Sequence, residues 1–476
     1  MDVTNPLQFA RFDAMLLAKK RKAGVDMQAE LKQENPMVEG VIWRQMLSFF
    51  FPILLGTFFQ QMYNTADALI VGRILGESAL AAVGGSAGII TMTVVGFFMG
   101  LTSGASIIAA QMLGAKDRES VNDSIHTIYA FSILAGIILT AVGIPLTEQM
   151  LLALNTPQSI MSASEEYLWV YFAGLVFVLV YNTGASLLRS LGDAKHPFWY
   201  LIVCCVINII LDYVFIAIFH MGIAGAAVAT VIAQAVSAIL VTIRLAQYDE
   251  VCDFRLRRMR IHWSMMKREL LLGLPGGVQS AMYCISGIIT TAALNGFGET
   301  VVASWTAYSK FDAIFWMISG AMGVTITTFV GQNFGAGKQE RIRQGVRLMN
   351  WAYVGVAIVM SVVILVLREP LFRLFVESEE AVSVGCRMLV LITPFYILNL
   401  HIENYSGALR GVGDTVAPMM ISIIGVCIFR TIYLGILMPR FHSLDLLCVM
   451  YPISWALTEV MYLVYYPIRM GKLVKT

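Results

Sequence analysis

Apolar stretches long enough to cross a bilayer recur along the chain, separated by short polar connections. A helix rises about 1.5 Å per residue, so roughly 20 apolar residues cover a hydrocarbon core of about 30 Å. Twelve stretches meet this length, at about residues 45–71, 82–112, 122–147, 163–188, 197–219, 222–246, 270–295, 303–331, 346–367, 384–408, 417–438 and 446–469. The pattern also repeats. LLRSLGDAKHP ends at Pro197 and ALRGVGDTVAP ends at Pro418. Arg189 and Arg410, Gly192 and Gly413, Asp193 and Asp414, and the two prolines all lie 221 residues apart, as do Gln111 and Gln332 in AQMLGAKDRE and GQNFGAGKQE. Pro52 and Pro275 occupy like places in the first span of each half, 223 residues apart.

Six spans per half is an even number, so both halves begin on one side of the membrane and are related by an axis along its normal. The predicted fold class is an all-α polytopic membrane protein, with twelve transmembrane helices in two pseudo-symmetric six-helix bundles. Its parts are a polar N-terminal extension at 1–40, a first bundle at 41–246, a basic connection at 247–268 and a second bundle at 269–470. In the extension, Leu7, Phe9, Phe12, Leu16 and Leu17 precede a basic run at 19–22. That pattern suits an interfacial helix on an anionic leaflet, or a plain disordered extension. The extension lacks the apolar core of a secretory signal. Met37, where the membrane part begins, is a second candidate start.

Composition agrees with this class. The chain is 58% hydrophobic and 13% charged, against about 25% charged residues in a soluble domain. A net charge of +2 gives no reason to expect a nucleic-acid partner. The distribution of charge is more informative. With both ends in the cytoplasm, the inside segments hold 26 Lys and Arg and the outside loops hold five. The positive-inside rule therefore puts both termini and the 247–268 connection in the cytoplasm. Seven cysteines are scattered without a C-x-x-C pair, five of them (Cys204, Cys205, Cys284, Cys427, Cys448) in apolar runs. They read as small buried hydrophobes, with neither a zinc site nor a disulfide framework.

One span, LIVCCVINIILDYVFIAIF at 201–219, carries Asn208 and Asp212 on one helix face, a turn apart. An ionised Asp near the bilayer centre costs about 2.5–3.5 kcal/mol on insertion scales. The acid is therefore expected inside the bundle, where it binds or relays something. The plain alternative is a protonated structural Asp bonded to Asn208.

The paired LRxxGDxxxP loops, the paired Q-x-x-GA after the second span of each half, and YNTADALIVGR closing the first span resemble the multidrug and toxic compound extrusion (MATE) family, over about residues 40–470. The resemblance implies a V-shaped pair of bundles that alternates between inward-open and outward-open states. It also implies export of organic molecules against an inward proton or sodium gradient. Many prokaryotic members carry a cation site in the first half, and this sequence matches it with Tyr63, Asp67, Asn208, Asp212 and Thr230. The acid that some branches carry in the seventh span is missing from LPGGVQSAMYCISGIITTAAL.

The chemistry of that set leaves two readings open. Two carboxylates in one apolar pocket cannot both ionise cheaply, which suits a proton carrier. Asp67, Asn208 and Asp212, with the Tyr63 and Thr230 hydroxyls, also offer an oxygen cage for sodium. A polar knot joining three helices is the structural alternative. Glu403 is a lone acid in the tenth span, near the equivalent of Asn182. It suits a cationic substrate or, by preference, a structural pair with Arg430. Asp312 and Lys310 are expected to pair locally or face a wet cleft. Phe58, Phe59, Tyr181, Phe315 and Trp316 are candidate cleft aromatics, although such residues more often face lipid or core. GGSAG at 84–88 lacks the strand–turn–helix setting of a nucleophile elbow, and GQNFGAGK misses the phosphate-loop spacing.

The reading that follows is a cation-coupled antiporter, not an enzyme. It exports organic, cationic amphiphilic compounds by alternating access in the cytoplasmic (inner) membrane of a bacterium. Small organic substrates and membrane lipids are the expected partners, with no cofactor besides a coupling proton or sodium, no nucleic acid, and a monomeric state. A lipid-linked saccharide flippase of the same superfamily is the alternative, and the scarcity of intramembrane Lys and Arg favours the exporter. The orientation is testable with Val3→Cys, Arg258→Cys and Val376→Cys in otherwise cysteine-free protein. An impermeant thiol reagent added outside intact cells should label only the cysteine at 376. Labelling at 3 or 258 with protection at 376 would invert the topology.

Overall fold

A computed structural model describes residues 36–248, 252–376 and 378–473. The expectations for residues 7–22 lie outside these. Among the described residues all regular structure is helical. The spans are α1 (Ile42–Leu75), α2 (Glu77–Gly114), α3 (Arg118–Ala153), α4 (Gln158–Ala173 and Leu175–Ser190), α5 (Lys195–Ile218), α6 (Gly222–Ala246), α7 (Trp263–Asn295), α8 (Glu299–Gly335), α9 (Gln339–Val366), α10 (Glu379–Gly411), α11 (Val416–Phe441) and α12 (Leu444–Leu473). Each of the twelve predicted spans has its helix. The fourth is bent by 54° at Gly174, and the tenth passes through a 3₁₀ turn at Thr393–Phe395. The seventh begins earlier than its apolar run, at Trp263, which brings Glu269 into the helix.

The internal repeat is visible in the turns. Gly192 (φ 92°) follows α4 and Gly413 (φ 90°) follows α10. An L side chain is strained at such φ values, so glycine suits both turns. In each turn the next amide reaches back to the helix. Asp193 N donates to Leu188 O and Asp414 N donates to Leu409 O, both at 2.9 Å. The aspartates then tie helix ends within their own bundle. Asp193 accepts from Arg244 of α6 at 3.3 Å, and Asp414 accepts from Arg469 of α12 at 2.8 Å. The 247–268 connection does more than set topology. Phe254 is fully buried, with its ring 5.0 Å from Tyr129 and 5.1 Å from His126 of α3. Asp253 N donates to Asn122 Oδ1 at 2.7 Å, and the Arg255 and Arg258 guanidiniums hold the exposed Asp253 carboxyl below its usual range.

The bundles meet at the end that holds the chain termini. There α2 packs along α7 and against α8, and α1 packs against α8. Gln111 Nε2 donates to Gly411 O and Gln332 Nε2 donates to Ser190 O, each at 2.8 Å. Each bundle thus grips the turn of the other through residues matched by the repeat. Ser124 of α3 donates to the buried Glu269 of α7 at 2.7 Å. The Met37 carbonyl, ahead of α1, accepts from Asn333 of α8 at 3.1 Å. The backbones come very close. A Cβ on Gly114 would lie 1.8 Å from Gln332 O, and one on Gly335 would lie 1.8 Å from Gln111 O.

Overpacking of this kind costs about 1–3 kcal/mol, whereas alanine for glycine in an open helix position is favourable by about 1 kcal/mol. Gly335→Ala should therefore lower thermal stability and lengthen spin-label distances across the seam. Gly355→Ala, whose Cβ meets nothing within 4 Å, should do neither. Equal stability of the two variants would show that the seam is not closed as described.

Candidate functional site

The acids predicted to converge do so inside the first bundle. Asp67 and Tyr63 come from α1, Asn208 and Asp212 from α5, and Thr230 from α6. Asn208 and Asp212 are fully buried and Thr230 is nearly so. The Asp67 and Asp212 carboxylates are neighbours, and the Tyr63 hydroxyl lies beside Thr230. The Asn208 amide has two orientations. In one, Nδ2 reaches Thr230 Oγ1 at 3.4 Å. In the other, Nδ2 donates to Asp212 Oδ2 at 2.8 Å and the oxygen accepts from Thr230 N at 3.3 Å, which satisfies both ends of the amide. Asp67 Oδ1 and Asp212 Oδ1 are buried with no hydrogen-bond partner among the described residues. A buried carboxylate oxygen without a partner is costly unless it takes up a proton or holds a cation. Immediately after Asp212 the helix passes through a π turn, Tyr213–Ile218, a distortion frequent at functional sites.

Sequence reasoning missed Tyr167 of α4, which is buried close to both acids. The available signal was a hydroxyl-bearing ring in an apolar span, since a buried Tyr hydroxyl usually finds a polar partner.

A cavity of about 260 Å³ lies between α1, α4, α5 and α8, lined in part by Gln60, Tyr181, Asn182, Arg189, Phe198 and Trp316. Of the candidate aromatics, Tyr181 and Trp316 line it. Phe58 is exposed and is not among the residues that line it. Phe59 packs against Phe198 at 6.0 Å, and Phe315 is fully buried, stacked 3.9 Å from Tyr396. Asn182 Nδ2 donates to Val178 O on its own helix at 2.8 Å.

The second bundle corrects two expectations. Glu403 does not pair with Arg430; it accepts from Arg410 of its own helix. Seven residues span two helical turns, so the two side chains share one face of α10. Arg430 instead donates to Ser454 Oγ at 3.0 Å and lies 4.2 Å over the Tyr451 ring, where a cation meets the negative face of the aromatic. Asp312 does not pair with Lys310, because residues two apart do not face each other on a helix. It accepts from Tyr396 at 2.8 Å, Tyr308 at 3.2 Å and Trp316 Nε1 at 2.8 Å. All seven cysteines are free, and Cys284 is only partly buried.

Comparison with known proteins agrees with this architecture. The family model described as MatE matches residues 52–214 and 275–434. The probable multidrug resistance protein YpnP of Bacillus subtilis is 30% identical over 392 residues, covering 82% of this chain and 87% of that protein. The probable multidrug resistance protein NorM of Thermotoga maritima is 26% identical, covering 87% and 89%. The crystal structure of the Vibrio cholerae MATE transporter VcmN in its bent form superposes with a TM-score of 0.82 at 21% identity, over 91% of this chain and 98% of that one. Twelve helices in two like bundles define a multi-pass membrane protein of the transporter class. The chain belongs to the MatE family, whose members are transporters and not enzymes.

The Glu403–Arg410 pair is open to a direct check. Glu403→Gln leaves the Arg410 guanidinium without its carboxylate, and hydrogen bonds to charged groups contribute about 1.5–3 kcal/mol. Thermal unfolding of Glu403→Gln should fall clearly below wild type, while Arg430→Gln introduced into that variant should add its own effect without coupling. A strong coupling between 403 and 430 in a double-mutant cycle would restore the pairing expected from sequence.

Proposed function

We propose that this chain is a cation-coupled antiporter of the bacterial cytoplasmic membrane that exports small organic compounds by alternating access. The observation that carries the reading is the pair of neighbouring carboxylates, Asp67 and Asp212, each with a buried oxygen that has no partner among the described residues. The relatives YpnP and NorM, named as probable multidrug resistance proteins, support the export of organic substrates. The asymmetric closure of the seam supports alternating access, since the bundles grip each other at the terminal end. The charge bias of 26 against five supports a cytoplasmic position for that end. The protein acts as a monomer and needs no cofactor beyond its coupling ion.

A proton is the better-supported ion. In the amide orientation that satisfies Asn208 at both ends, nitrogen faces Asp212 and the amide oxygen is taken up by Thr230 N. That orientation withdraws one oxygen from a sodium cage. The remaining carboxylates and hydroxyls are hard oxygen donors that fit sodium once the amide is turned. In either case the ion works by differential affinity: it must bind one access state better than the other. The flippase reading has less support, because among the described residues Arg189 is the single charged one lining the central cavity.

Asp67→Asn and Asp212→Asn remove the titratable charge and nearly keep the shape. Both should fold, insert and bind substrate, and both should lose gradient-driven efflux. Asn208→Ala, which leaves both charges, should be milder. Efflux from vesicles under separate proton and sodium gradients, normalised to folded protein, measures this. Full export by both Asn variants would remove the pair from the coupling mechanism, and export driven by sodium alone would overturn the proton assignment.

A further inference from the structure

Arg189 and Arg410 hold matched places in the repeat, but their surroundings differ. In the second bundle, Arg410 is neutralised by Glu403, seven residues earlier on the same helix. In the first bundle, the residue seven positions before Arg189 is Asn182. The repeat has kept the guanidinium and replaced its carboxylate with a neutral amide. The other acid near Arg189 in sequence is Asp193, one turn on, and it is already engaged by Arg244 at 3.3 Å and His196 at 2.6 Å. Among the described residues Arg189 therefore has neither an acidic partner nor a hydrogen bond. It lines the central cavity, where it is the one charged lining residue among those described, and Tyr181, Asn182 and Trp316 line the same cavity.

An arginine held in a largely apolar setting without a counter-charge is costly. The cost is offset when a ligand brings the missing carboxylate. The guanidinium fork matches an oxyacid with two parallel hydrogen bonds, and Trp316 and Phe198 line the same cavity, where apolar rings suit an attached aromatic body.

We propose that this cavity is a substrate subsite for the acidic group of aromatic organic anions or zwitterions, with Arg189 binding a carboxylate, sulfonate or phosphate. This rests on the exporter reading for its consequence in transport, but not for its test by binding. It also narrows the substrate class, since a purely cationic amphiphile meets Arg189 as a like charge. Asn182 is the specificity determinant, because a carboxylate at 182 would restore the internal pair of the second bundle and neutralise the site.

The test uses two dyes, an aminoxanthylium with a free benzoate arm and the methyl ester of the same dye. Each is titrated against the purified full chain by fluorescence polarisation. Wild type should bind the free acid about 10-fold more tightly than the ester, the ratio expected for one charge-assisted pair. Asn182→Glu and Arg189→Gln should each bring that ratio close to one, and Arg189→Lys should keep part of it. Asn182→Glu adds a side chain without removing the arginine, so the test stands even where Arg189→Gln fails to fold. Equal wild-type affinity for the two dyes, or an unchanged preference in Asn182→Glu, would overturn the assignment. A lipid headgroup carries the same chemistry, so the titration is repeated with short-chain phosphatidylglycerol. No displacement assigns the site to soluble acids, and full displacement overturns its role as a substrate subsite. Gradient-driven efflux of either dye is measured separately. Loss of efflux with the binding preference intact would count against the exporter and leave the subsite standing.

Discussion

Contact between the two bundles at the terminal end is the constraint on which the rest of the structure depends. Backbones approach so closely there that Gly114 and Gly335 leave no room for a side chain. The contact is sealed by two glutamines, each donating to a turn carbonyl of the other bundle. Because both glutamines and both turns belong to the repeat, one interaction is made twice across a pseudo-twofold axis. The central cavity lies between helices of both bundles, which close on each other at the terminal end.

Charge is distributed unequally between bundles that share one fold. In the second bundle Glu403 pairs with Arg410 and Asp312 accepts from two tyrosines and a tryptophan, while Glu269 reaches across to Ser124 of the first bundle and keeps one buried oxygen without a partner. The first bundle leaves carboxylate oxygens of Asp67 and Asp212 unpartnered and its cavity arginine unpaired. In a low-dielectric interior a satisfied network rigidifies, whereas an unsatisfied group responds to whatever binds it. Asp67 and Asp212 are groups of the second kind, and so are Glu269 and the Arg410 and Arg430 nitrogens left over in the second bundle.

Much of this was legible in the sequence, for identifiable reasons. Span number and the repeat are written in apolar run length and in polar turn motifs. Asp67, Asn208 and Asp212 were legible because charge and amide are rare in apolar helices and their helical spacing fixes their face. Contacts within the second bundle were not. Glu403 had Arg410 and Arg430 both within reach along the chain, and only the rotation of α11 toward Ser454 and Tyr451 decides between them. Tyr167 was hidden because aromatics are common in membrane helices. Phe254 was hidden because a basic loop explains its charges without requiring any packing. The closeness of α2 to α8 depends on glycines whose meaning appears only when the facing backbone is known.

On the proposed mechanism, the strength of the seam sets what the coupling site has to supply. A single hydrogen bond contributes a net of about 0.5–1.5 kcal/mol, so the two glutamine clasps add only a few kcal/mol to the closed state, beside the Ser124–Glu269 bond and the packing of α1 and α2 on α8. Moving a two-state equilibrium from 1:99 to 99:1 takes about 5.5 kcal/mol of differential binding. One unit of pKa difference between access states corresponds to about 1.4 kcal/mol. Two interacting carboxylates that change from a dry, crowded pocket to a wetter one can differ by several units. On the proposed mechanism, the energy available at Asp67 and Asp212 is thus at least of the size of the two glutamine clasps. Breaking a buried ion pair costs about 3–5 kcal/mol, more than breaking one hydrogen bond of the kind that Gln111, Gln332 and Ser124 make across the seam.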